Sequence, residues 1–165
     1  MSTEKRQLNI THAGSPAMSR TMYDERFLVP MRRDLTEVGF TELTTADEVD
    51  EALQKPGTAL VLVNSVCGCS ARMARPAARL DVTHPTKPEH LYTVFAGQDA
   101  EATAQARSYF TGYTPSSPSM AILRDGKLVW MMERSQIEGR PAEQIAEELV
   151  AAFEEHAGPQ TAAAS

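Results

Sequence analysis

Only 2 of the 165 residues are cysteine. They stand two apart, Cys67 and Cys69, so no framework of disulfides ties distant parts of the chain together. No apolar run approaches the roughly 20 residues that a membrane-spanning helix needs. The N-terminus shows no charged start followed by an apolar stretch and a small-residue cleavage site, so the reading is a cytoplasmic chain with no membrane partner. Excess positive charge is missing too: 16 Lys and Arg face 22 Asp and Glu for a formal net charge of −6, and no basic cluster is interleaved with aromatics. Nucleic acid is therefore a poor partner. There is no internal repeat and no glycine-rich phosphate loop, which removes a nucleotide-binding reading. What the composition does supply is 42% hydrophobic residues over the length of one ordinary domain, enough to bury a core without metal or disulfide support.

Polar, small residues at both ends mark residues 1–21 and 158–165 as flexible segments around one domain, 22–157. Within it, Phe27, Leu28, Met31, Leu35 and Val38 recur at helical spacing from Tyr23 to Val38, with Pro30 at a kink or a new first turn and Gly39 at the stop. Phe40 to Leu43 is a short strand, and Thr45 caps a helix from Ala46 to about Gln54. The β-branched, continuously apolar run Ala59 to Asn64 is a buried central strand. It leads straight into Cys67-Gly68-Cys69 and a helix-prone segment interrupted by Pro76. Leu91 to Ala96 is a second apolar strand, Asp99 to Phe110 a helix, and Ser119 to Leu123 a strand after a loop holding Ser117 and Pro118. Asp125-Gly126 is a two-residue hairpin signal leading to Lys127 to Met132. Arg140-Pro141 opens a last helix with Ile145, Leu149, Val150 and Phe153 on one face. The order favours an α/β fold, a central mixed β-sheet with helices on both faces.

The chemistry sits where the central strand ends. A cysteine at the head of a helix meets unpaired backbone N–H groups and the positive end of the helix dipole, and both favour thiolate over thiol. Thiolate is the nucleophile in disulfide exchange, and such cysteines have pKa values lowered from roughly 8.5 into the range of about 3.5 to 7.5. Cys67, outside the first turn, is expected to be the more exposed of the pair and Cys69 the more shielded. A bond between them requires Cα atoms roughly 4.4 to 6.8 Å apart in a bent backbone, where Gly68 supplies the freedom. A strained bond of that kind is easily reduced, which suits an isomerase or a remover of mixed disulfides better than a strong reductant. Cys-x-Cys also binds zinc or copper, which leaves a metal-binding or redox-sensing protein as a reading from another class. A closed structural zinc site wants four ligands, however, and His12, His84, His90 and His156 offer no second pair at ligand spacing, so no metal is assigned.

Taken together, a strand, a cysteine motif at a helix start, a later Ser117-Pro118 before a strand, a hairpin and a final helix resemble the thioredoxin superfamily. Within it, Val63-Asn64-Ser65-Val66-Cys67-Gly68-Cys69 followed by Ala74-Arg75-Pro76-Ala77-Ala78 is similar to the bacilliredoxin family. The agreement extends through Met31-Arg32, Gly39-Phe40, Leu43-Thr44-Thr45-Ala46 and Phe95-Ala96-Gly97-Gln98. The resemblance implies a thioredoxin-like fold and a monomer that removes bacillithiol from S-bacillithiolated proteins, or isomerises disulfides, with bacillithiol as the thiol substrate and no cofactor. It implies Cys67 as nucleophile and Cys69 as resolving cysteine. Gly68, Ser117, Pro118 and Asn64 are then the residues that meet the substrate, with Pro118 at the superfamily's cis position. The chain departs from the family pattern at Ser70-Ala71-Arg72, where Arg72, one turn into the helix, either adds positive potential near Cys67 or, as expected, faces solvent.

Overall fold

The computed structural model describes residues 23–158; the segment 1–21 and all but the first residue of 158–165 lie outside the described residues. Helix α1 (Glu25–Thr36) starts at Asp24, whose carboxylate accepts the Arg26 N–H at 2.9 Å, one of the donors that a helix start leaves unpaired. Pro30 lies within this single helix rather than at a new first turn. It is on the exposed side, where the carbonyl that its missing N–H leaves over faces solvent rather than the core. Strand β1 is only Thr41–Glu42, shorter than the expected Phe40 to Leu43; the two flanking residues enter the cores on opposite faces of the sheet. Helix α2 (Ala46–Leu53) is capped by Thr45, whose hydroxyl accepts the Glu48 N–H at 3.1 Å.

Strand β2 (Thr58–Asn64) is buried along its whole length and occupies the middle of a five-stranded sheet ordered β1-β3-β2-β4-β5. It runs parallel to β3 (His90–Phe95) and antiparallel to β4 (Ser119–Arg124), which pairs antiparallel with β5 (Lys127–Met132). Asp125 and Gly126 join β4 to β5 with φ of 51° and 77°, the two positive values of a type I′ turn. Alternation along β2 divides the core: Leu60 and Leu62 face one cluster, Ala59, Val61 and Val63 the other. Helix α4 (Ala100–Ser108) packs with α2 on the second face. Helix α6 (Ala142–His156) covers the first through Ile145, Leu149 and Phe153, with Pro141 as its cap residue rather than its first helical residue.

Between β2 and β3 the chain forms a helical segment in two parts. A π turn, Ser70–Ala74, is closed by the Arg75 N–H on the Ser70 carbonyl, and regular helix α3 (Arg75–Asp81) continues from it. The expected interruption at Pro76 is absent. The wide turn ends just before the proline, which therefore occupies the first turn of the regular helix, where a missing N–H is tolerated. One element escaped the sequence reading altogether, the four-residue helix α5 (Arg134–Ile137), closed by a capping box between Glu133 and Gln136. No helix among the described residues is long and apolar enough to cross a membrane.

Candidate active site

The carbonyl of Cys67 accepts the N–H groups of Ser70 and Ala71, each at 3.1 Å, so Cys67 stands at the head of the helical segment. Both cysteines are free thiols and both are half-buried; exposure does not separate them, contrary to expectation. What separates them is hydrogen bonding and charge. Burial opposes ionisation of Cys67, but the Ser65 hydroxyl, the Ser70 and Cys69 backbone N–H groups and the Arg134 guanidinium together hold its pKa below the ordinary thiol value. The Ser65 Oγ lies 3.1 Å from the Cys67 sulfur. Cys69 is pushed the other way, first by burial, then by the Cys67 charge beside it and by Glu138, with Arg134 opposing. Of the two thiols, Cys67 is therefore the more readily ionised.

Gly68 is exposed, is not among the glycines with positive φ, and a Cβ built on it meets nothing within 4 Å. In the dithiol form its backbone is therefore one that any residue adopts, and the expected need for glycine is not expressed there.

Beneath the motif lies a buried polar network. Asn64 Oδ1 accepts from the Ser65 N–H, from the Ser70 hydroxyl and from Arg75 Nη1, each at 2.9 Å. Its Nδ2 donates to the Met31 carbonyl at 3.2 Å. Arg75 Nη1 also donates to the Ser65 carbonyl at 2.9 Å, and its Nε reaches Asp34 at 3.0 Å. Asn64 is 1% exposed with both amide atoms occupied. It therefore shapes the turn from below. The network pins Ser65, and through it the hydroxyl that faces Cys67.

Across from the motif, the Ser117–Pro118 peptide bond is cis. Ser117 is half-buried and Pro118 buried. Arg134 joins the two sides: Nη2 lies 3.9 Å from the Cys69 sulfur, Nη1 donates to the Ser117 carbonyl at 3.3 Å, and its backbone N–H donates to the Ser116 hydroxyl at 3.4 Å. Arg134 escaped the sequence reading, which weighed Arg72 instead; Arg72 is exposed and is not among the groups acting on either thiol. Among the described residues no group of three or more His, Cys, Asp or Glu gathers as metal ligands would.

A half-buried dithiol at the head of a helix, directly after the central strand of a mixed sheet, is the arrangement of a thiol–disulfide oxidoreductase of thioredoxin fold. Residues 23–157 match the family model described as disulphide isomerase. The chain is 54% identical over 145 residues to a bacilliredoxin of Koribacter versatilis, across 87% of this chain and 100% of that protein. It is 56% identical over 125 residues to a bacilliredoxin of Bacillus cereus, across 76% of this chain and 87% of that one. A solved thioredoxin of Malassezia sympodialis superposes with a TM-score of 0.52 at 12% identity, across 73% of this chain and 92% of the other, a likeness of fold. The chain belongs to the bacilliredoxin family.

Proposed function

We propose that the protein clears bacillithiol from mixed disulfides on client proteins, with Cys67 as the attacking thiolate. The observation that carries this reading is the setting of the two thiols, with the Ser65 hydroxyl 3.1 Å from the Cys67 sulfur at the head of the helical segment, which favours Cys67 as thiolate and Cys69 as thiol; the likeness to the bacilliredoxins named above favours bacillithiol as the thiol. The Cys67 thiolate attacks the bacillithiol sulfur, and the client cysteine leaves as thiolate and takes a proton from water. Cys69 or a second bacillithiol then attacks Cys67 and releases the bound thiol. All electrons come from thiols, and no cofactor takes part. Gly68, Ser117 and Pro118 form the rim over which the client chain lies.

The test is intact-mass analysis after mixing the reduced protein with a bacillithiolated client and, in parallel, with the same client carrying glutathione. The expected result is a bacillithiol adduct that persists on Cys69→Ser, is absent from Cys67→Ser, and forms faster than the glutathione adduct. Equal rates with the two clients would contradict the choice of thiol. A second reading, disulfide isomerisation, is favoured by the description of the matching family model. Recovery of scrambled ribonuclease without any small thiol supports it.

A further inference from the structure

Among the described residues, Arg134 brings its guanidinium Nη2 to 3.9 Å from the Cys69 sulfur, two residues from Cys67, and its positive charge favours the ionised form of either thiol. It comes from α5, after the last strand, 65 residues beyond Cys69, and it is fixed from three directions. Its backbone N–H holds the Ser116 hydroxyl and its Nη1 holds the Ser117 carbonyl. Its Nε faces the Glu138 carboxylate at 3.6 Å. Nη2 is thereby left directed at Cys69, 3.9 Å away. The guanidinium thus spans the cleft between the motif and the cis-proline loop.

We propose that Arg134 is a counter-ion shared by the two cysteines, and that from one fixed position beside Cys69 it favours the Cys67 thiolate before reaction and the Cys69 thiolate once Cys67 has taken up the substrate thiol. The inference rests on the exchange chemistry proposed above and adds the group that times its second step. Before reaction the negative charge resides on Cys67, and a second charge on Cys69 would be repelled by it. In the first step the Cys67 thiolate forms a bond to the small-thiol sulfur, the client S–S bond breaks, and the client sulfur departs with the electron pair. Cys67 is now neutral. The repulsion on Cys69 has gone, while the Arg134 charge remains beside it, so Cys69 releases its proton to water and becomes the nucleophile. Its attack on the Cys67 sulfur expels the small thiol as thiolate and leaves a Cys67–Cys69 disulfide, which two further thiol equivalents reduce. Besides Arg134, the charged and titratable groups acting on Cys69 are Cys67 and Glu138. Glu138 opposes Arg134 at both ends, as a like charge to the thiolate and as a competing partner for the guanidinium.

The experiment uses a small neutral disulfide, 2-hydroxyethyl disulfide, so that its outcome does not depend on whether bacillithiol is the physiological thiol. Reduced protein is mixed with excess probe, quenched in acid at intervals and weighed, which gives the rate of adduct formation on Cys67 and the rate of its conversion to the Cys67–Cys69 disulfide. Arg134→Gln is expected to slow the second rate at pH 7 by about tenfold and to move its pH profile to higher pH, with a smaller effect on the first. Arg134→Lys, which keeps the charge without the planar fork, restores most of the second rate. Glu138→Gln shifts the profile the opposite way and stands as a measurement of its own if Arg134→Gln does not fold. A second-step profile unchanged in Arg134→Gln, equal slowing in the Lys and Gln variants, or no shift in Glu138→Gln would overturn the proposal.

Discussion

The Ser65 hydroxyl stands 3.1 Å from the Cys67 sulfur, in a turn whose shape is set by the bonds of Asn64 and Arg75 beneath it. A hydrogen bond to a charged acceptor favours the charged form. Ser65→Ala is therefore expected to move the pH profile of Cys67 alkylation to higher pH. The alkylation rate at pH 7 falls by about tenfold or less, as the loss of one such bond allows. Stopped-flow alkylation across the pH range measures it, and an unmoved profile would remove Ser65 from the account.

Gly68 makes an unusual prediction. Since a Cβ there meets nothing within 4 Å and the residue lies in the first turn of the helical segment, Gly68→Ala is expected to stabilise the reduced protein by up to about 1 kcal/mol. The same methyl group restricts the bend that a Cys67–Cys69 bond requires, so closure of that bond slows. Thermal unfolding of the reduced form, alongside the rate of disulfide closure, checks both halves.

Arg75 is 3% exposed and is the donor that Asn64, Ser65 and Ser70 share. Arg75→Met keeps much of the volume and removes all of these bonds, taking the Arg75 donor from the buried Ser65 carbonyl and leaving Asn64 Oδ1 with the Ser65 N–H and the Ser70 hydroxyl alone. The expected cost is about 3 kcal/mol in urea unfolding. Its ionic partner Asp34 has a side chain 45% exposed, so Asp34→Asn costs less than about 1 kcal/mol. Equal costs would show that the ion pair, rather than the buried network, carries the effect.

Asp81 closes α3, buried with Oδ2 lacking a partner among the described residues, in a crevice shared with Glu143 and Glu147 of α6. Burial pushes its pKa up to about 7. Because the folded value lies above that of the unfolded chain, the unfolded state ionises first as pH rises, and stability is lost between about pH 4 and pH 7. Asp81→Asn abolishes that loss. The fall in urea midpoint from pH 5 to pH 8 is therefore expected to be smaller in the variant, and an identical fall would contradict the assignment.

Much of this was legible in the sequence for a simple reason. The strand Ala59 to Asn64 and the cysteines that follow are contiguous, so a reactive thiol at a strand-to-helix turn could be read locally. The hairpin at Asp125-Gly126 was equally local. Arg134 was not, because it reaches Cys69 only after β4, β5 and α5 fold back across the sheet. Asn64 was visible as the polar end of an apolar strand, but its role depends on Arg75 and Met31, which arrive from other elements. The π turn escaped for a different reason: Pro76 reads as a break, and only the wide turn preceding it lets the helix continue.

The central claim is that Cys67 ionises readily while Cys69 stays protonated, in one and the same reduced protein. Brief alkylation of the wild-type dithiol at a series of pH values, with fragment-ion mass spectrometry to assign each label, measures it directly. The account predicts that Cys67 is labelled first throughout the neutral range and Cys69 only at distinctly higher pH. Equal labelling of both, or Cys69 labelled first, would contradict it.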